Sequence, residues 1–163
     1  RGTQHKWKAF GVSFFSKPES LITYDISTRF GGYYAQGSRY NAIANIGYRF
    51  QPFVSLALNV SYDYINLPAP WYVTKFWLVG PKIDLTMTNK LFFSTFIQYN
   101  EQLDNLNLNA RFQWRYKPAS DLYIVYTDNY LPVPFLVRNR ALMLKFTYWW
   151  NVKVPKKNNN VDM

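Results

Sequence analysis

The amino-acid sequence predicts an all-β protein, an antiparallel up-and-down transmembrane β-barrel, on three observations. Residues 105–117 alternate without a break, with Leu106, Leu108, Ala110, Phe112, Trp114 and Tyr116 against Asn107, Asn109, Arg111, Gln113, Arg115 and Lys117. A strand turns successive side chains to opposite faces, so one face is apolar and aromatic and the other polar and basic. Residues 53–64 do the same: Val54, Leu56, Leu58, Val60, Tyr62 and Tyr64 oppose Ser55, Ala57, Asn59, Ser61 and Asp63. Second, both stretches exceed the usual strand of about 5–6 residues and match the roughly 9–11 that cross a bilayer at a tilt. Third, 20% of the chain is aromatic, with 14 Tyr, 13 Phe and 6 Trp. Membrane barrels place such rings in girdles at the two interfaces.

The pattern predicts nine strands, over 5–16, 21–35, 38–50, 52–66, 71–88, 90–100, 105–117, 120–128 and 137–150. In the second, Ile22, Tyr24, Ile26 and Phe30 oppose Thr23, Asp25, Ser27 and Arg29. In the third, Ala44, Ile46, Tyr48 and Phe50 oppose Asn45, Gly47 and Arg49. The fifth breaks the rule: Phe76 and Leu78 hold even positions on the apolar face, whereas Ile83, Leu85 and Met87 hold odd ones. Proline cannot donate to a ladder, so a bulge at Gly80-Pro81 is expected to restore the faces, or else a turn there divides the strand in two. In the last strand Leu142, Leu144, Phe146, Tyr148 and Trp150 oppose Ala141, Met143, Lys145 and Thr147. Residues 151–163 are polar and form an expected disordered periplasmic tail.

The connections sort into two kinds. Lys17-Pro18-Glu19-Ser20, Gln51-Pro52, Thr88-Asn89 and Lys117-Pro118-Ala119-Ser120 are tight turns. Those at 67–70, 101–104 and 129–136 are longer, and 36–37 is short. Bacterial barrels keep short turns in the periplasm and longer loops outside, which puts the C-terminus in the periplasm and Arg1 outside the cell. Such barrels have an even strand number and nine is odd. The chain is therefore expected to be the C-terminal part of a larger barrel, unless one strand has been wrongly split or merged.

Composition narrows the chemistry. No apolar run approaches the ~18 residues of a membrane helix, and the mean hydropathy of -0.27 fits a barrel whose polar interior dilutes its apolar wall. The absence of cysteine removes disulfides and thiol chemistry. A net charge of +10 suits nucleic acid, anionic lipid or an acidic ligand. Nucleic acid is discounted, because a stacking groove needs aromatic and basic side chains on one face and here they fall on opposite faces.

From residue 48 onward the order of features is distinctive: Tyr48-Arg49-Phe50, then Tyr62-Asp63-Tyr64-Ile65-Asn66-Leu67-Pro68, Phe96-Ile97-Gln98-Tyr99-Asn100, Asn109-Ala110-Arg111-Phe112-Gln113-Trp114-Arg115-Tyr116-Lys117-Pro118, Ser120 to Tyr126, and Arg138 to Phe146. This resembles the C-terminal end of a Bacteroidetes-type outer-membrane family, in which a family-nine-like carbohydrate-binding domain precedes a barrel of unknown function. The match covers roughly two thirds of the chain; residues 1–47 match only in texture. The resemblance implies a carbohydrate-binding-like domain and further strands before Arg1, and carries over no sugar-binding residue. Gly80-Pro81 departs from the family's pattern.

Candidate functional residues follow from the faces. Arg29, Arg49, Arg111, Arg115 and Lys145 form a lumen-facing basic set, with Asp25, Asp63 and Asp84 as carboxylates on the same face. One reading is an anion-attracting pore or a site for acidic saccharide. The other, which is favoured because charges taken from bulk water need partners, is a ladder of Arg–Asp and Arg–Asn contacts that fills the lumen. Lys6, Lys8 and Arg39 near the outer strand ends are read either as neutralising lipopolysaccharide phosphates or as a solvated rim. Trp71, Tyr72, Tyr99 and Tyr130 belong to an interfacial belt in preference to a sugar-stacking site, and Tyr116, Trp149 and Trp150 to the periplasmic girdle.

Catalysis is not expected, and no cofactor or metal is. The only histidine, His5, has no carboxylate near it in sequence, Ser13 and Ser61 have no base, and Asp121 and Asp128 have no carboxylate cluster. Paired acids would have to come from Asp25, Asp63, Asp84, Glu101 or Asp104. The expectation is a non-enzymatic protein of the cell outer membrane, an anchor or channel component linked to carbohydrate handling, in contact with lipid or lipopolysaccharide. An accessory subunit of a larger outer-membrane transport or assembly complex is the alternative. A soluble lipocalin-like barrel is a third reading, and would turn the Leu/Phe/Trp face inwards.

Overall fold

The structure, a computed structural model, describes residues 6–150. His5, Arg1 and the expected tail over 151–163 lie outside the described residues. Nine strands follow one another: β1 (Ala9–Phe15), β2 (Ile22–Gly32), β3 (Ser38–Phe50), β4 (Val54–Asn66), β5 (Val73–Thr88), β6 (Leu91–Asn100), β7 (Asn105–Lys117), β8 (Ser120–Leu131) and β9 (Leu136–Thr147). Each pairs antiparallel with its neighbour in sequence, in one sheet ordered β1 to β9. The sheet is not closed: β1 and β9 are its two edges. No helix among the described residues is long and apolar enough to cross a membrane.

Several expected bounds shift. A single 3-10 turn over Tyr34–Gln36 ends the second strand at Gly32, short of 35. β1 starts at Ala9 and not at 5, β8 runs on to Leu131, past 128, and β9 stops at Thr147, leaving Tyr148 to Trp150 beyond the ladder. Gly31 (φ 151) lets β1 come close, since a Cβ there would stand 2.4 Å from the Lys8 carbonyl oxygen.

The fifth strand needs the largest correction. β5 keeps one unbroken register against β4, from Val54–Leu85 through Leu58–Pro81 to Asn66–Val73. Gly80-Pro81 is neither a bulge nor a turn. Against β6 the two residues drop out of the ladder, as a proline must, but the pairs on either side share one register. The irregularity falls at Thr86/Thr88 instead. Phe76 therefore stands opposite Asp63 and Leu78 opposite Ser61, on the polar face. Trp77, Val79 and Pro81 continue the apolar face to Ile83 and Leu85.

Burial is inverted relative to a soluble domain. Among the described residues no hydrophobic side chain is buried, whereas Asp63, Gln113, Ser120 and Asp128 are. A soluble chain of this length would bury most of its apolar surface. Here Trp114 is 46% exposed and Leu144 67%. The lipocalin-like reading, which needs those side chains enclosed, fails on that point. A cavity of about 580 Å³ on the polar side is touched by residues from β1 through β6. Strands about 4.8 Å apart can meet one cavity across such a width only if the sheet curls around it. The polar face is the concave one.

Candidate functional site

The cross-strand register collects the polar residues. Asp25 and Arg29 on β2, Arg49 on β3, Asp63 on β4, Asp84 on β5, Arg111 and Arg115 on β7 and Lys145 on β9 all fall on the same face. Three ion pairs tie part of it together. Asp63 accepts from Arg39 Nε at 2.8 Å and Nη2 at 2.5 Å. Lys82 Nζ lies 2.9 Å from Asp84, whose other oxygen accepts from Ser94 Oγ at 2.6 Å. Arg115 Nε lies 3.5 Å from Asp121.

These contacts change the expected picture in two ways. Arg39 lies at the outer end of β3, as expected, but it is on the polar face and engaged by Asp63, whose strand partner Asn41 is two residues along from it. Only Lys6 and Lys8 of that trio remain exposed ahead of β1. The ladder is also incomplete: no ion pair among the described residues takes Arg29, Arg49, Arg111 or Lys145. Arg111 instead lies 5.3 Å from the centre of the Tyr123 ring and donates to Gln113 Oε1 at 3.3 Å. Gln113 in turn donates to Tyr123 and Asp121, at 2.7 and 3.1 Å.

Asp63 and Asp84 are each engaged by a cation, and Glu101 accepts from the Trp77 backbone N–H at 2.9 Å. Among the described residues no three His, Asp or Glu side chains gather as a metal site would require. Ser13 and Ser61 lie on the polar face, opposite Ser27 and Leu78.

The aromatic residues mark the two ends. Trp71 and Tyr72 are exposed in the connection after β4, and Tyr99 lies on the apolar face beside Leu106. At the opposite end Tyr116 stacks on Phe146 at 5.5 Å and donates its hydroxyl to the Thr147 carbonyl at 2.8 Å. Trp149 donates its backbone N–H to Ser120 Oγ at 2.9 Å, and both Trp149 and Trp150 are exposed.

No family model matches the chain. No curated protein matches it either. Among solved structures it is similar to a KdgM porin in complex with disordered oligogalacturonate, at 11% identity and a TM-score of 0.43, over 88% of this chain and 76% of that one.

Two features were not anticipated from the sequence. Asp128 and Arg140 pair across β8 and β9 on the apolar face, with Arg140 Nε 2.8 Å from a carboxylate that is fully buried. Both occupy the parity otherwise held by Tyr126, Tyr130 and Leu142, and that breach was the available signal. The second is a row of carboxamides across the concave face.

Proposed function

We propose that this chain is a membrane-spanning section of an outer-membrane β-barrel, non-enzymatic, which anchors or forms the passage of a carbohydrate-handling protein. The observation that carries the reading is the inverted burial: an exposed apolar and aromatic wall, with only polar side chains buried among the described residues. A wall of that kind is stable where hydrocarbon replaces water, and it suits an antiparallel sheet with alternating faces. The tight connections at 51–53, 89–90 and 118–119 share one end, which by the same logic faces the periplasm.

The link to carbohydrate rests on the resemblance to barrels that follow a carbohydrate-binding-like domain, together with a polar face rich in hydrogen-bonding groups. Alkaline carbonate extraction of membranes tests the membrane reading. The chain is expected to stay with the membrane and to be released by detergent; release by salt or carbonate overturns it. One observation favours the accessory-subunit version. Every residue of β9 is exposed, and its outer edge is free to pair with a strand of another protein.

A further inference from the structure

The register aligns one side chain per strand in rows across the concave face, and one of these rows is built almost entirely of carboxamides. Asp25 stands opposite Asn45, Asn45 opposite Asn59, and Asn59 opposite Gly80. Further along, Gln98 stands opposite Asn107, Asn107 opposite Asn129, and Asn129 opposite Asn139. The pairs Val79–Tyr99 and Lys82–Phe96 bracket Gly80 and Gln98, so the two halves form one row. A carboxamide carries no charge and offers both donors and an acceptor, which makes it complementary to hydroxyl groups. Asn59 donates to Asn45 within the row. The side-chain oxygens of Asn107 and Asn129 are buried and accept no hydrogen bond.

Four residues along each strand towards the tight turns, the parallel row is ionic. Arg49, Ser55, Asp84, Ser94 and Arg111 stand in register there, and Lys82 lies between the two rows. The cations outnumber the single carboxylate, and neither Arg49 nor Arg111 is ion-paired. The cavity of about 580 Å³ straddles both rows and reaches Asn45, Asn59, Arg49, Lys82 and Phe96, with Asp25 as its one carboxylate against the two cations. Its volume lies within the range of small-ligand sites, about 300–1,000 Å³. Gly80 shapes it: a Cβ there would stand 3.2 Å from Cε2 of Phe96, so its absence lets that ring lie close over the strand.

We infer that this cleft binds a segment of a saccharide chain that carries carboxylates. The inference rests on the barrel reading above and names the ligand class for its polar face. Hydroxyls pair with Asn45 and Asn59, a carboxylate is held by Arg49 and Lys82, and the apolar C–H side of a sugar ring packs on Phe96. An inorganic anion uses only the cations, and a neutral sugar only the amides and the ring. The ligand that uses all three is both hydroxylated and acidic.

The test titrates the full chain, extracted in detergent, with three probes while following its tryptophan fluorescence: an oligouronate, the same oligomer with its carboxylates reduced to alcohols, and inorganic sulfate. The oligouronate is expected to bind at least about tenfold more tightly than either of the others. Arg49→Gln combined with Lys82→Gln should remove that preference while leaving weak neutral-sugar binding. Asn45→Ala combined with Asn59→Ala should weaken both sugars and leave sulfate unchanged. Equal binding of the reduced oligomer, binding of sulfate as tight as the oligouronate, or no binding at all overturns the inference. Resistance to carbonate extraction is read on the same preparations. A membrane-embedded chain that fails with the probes loses this inference alone, whereas a released chain loses the barrel reading beneath it.

Discussion

Asp128 is fully buried, and it lies on the face that is otherwise apolar. One of its oxygens accepts from the Tyr126 hydroxyl at 2.5 Å, the Tyr130 hydroxyl at 2.6 Å and Arg140 Nε at 2.8 Å. The other oxygen has no partner. Breaking such a pair from one side leaves a buried charge uncompensated, which costs about 3–5 kcal/mol, whereas replacing both members by apolar groups is often neutral or better. Arg140→Leu is therefore expected to destabilise the chain, by leaving the Asp128 carboxylate without its cation. Asp128→Leu combined with Arg140→Leu should recover most of that loss. Urea unfolding of the chain in lipid bilayers measures both, and a double variant as weak as the single one refutes the account. The sequence made Arg111, Arg115 and Asp63 legible because each sits on the polar parity of a clean alternation. It left Asp128–Arg140 unread because pairing is a fact of register between strands, which a single strand's period does not contain.

At the scale of the element, most of the fold was visible as period and punctuation. β3, β4 and β7 run over 38–50, 54–66 and 105–117, almost where alternation and the Pro- or Asn-marked turns put them. β5 was misread for a physical reason. Phe76 and Leu78 are apolar residues on a polar face, and they sit beside a Gly-Pro pair that usually marks an irregularity. Composition alone cannot tell an apolar residue lining a passage from one facing lipid. The glycine itself fits close packing more than a bend: the Cβ of any larger residue would meet the Phe96 ring at 3.2 and 3.4 Å and the Asn59 Cβ at 3.8 Å. Gly80→Val is expected to cost about 1–3 kcal/mol through overpacking and to displace Phe96. The same unfolding assay reads the loss, and Phe96→Ala in the Gly80→Val background should return part of it. A Gly80→Val chain of unchanged stability shows that the ring does not depend on that space.

At the scale of the whole molecule, the open edges set the strongest constraint. In hydrocarbon an unpaired backbone N–H or C=O costs several kcal/mol, so a spanning sheet cannot leave a long edge bare. β1 and β9 run in the same direction, because eight antiparallel pairings, an even number, link the two edges. Joining them to each other gives a parallel seam. Copies of this chain inserted with the same orientation also meet edge to edge in parallel. An all-antiparallel wall is completed only by an odd number of further strands, whether from the same polypeptide or from a partner. Either source predicts that the outward amides of β9, from Leu136 to Thr147, are protected in the native membrane assembly. Hydrogen exchange on native membranes is expected to show those amides as slow as the ones in β7, and to show them fast once the chain is purified alone. If the missing strands belong to a partner, that partner co-purifies at a fixed ratio; if they belong to the same polypeptide, the native mass exceeds that of this chain. Rapid exchange along β9 in the native membrane excludes both arrangements, and with them a closed barrel around the polar face.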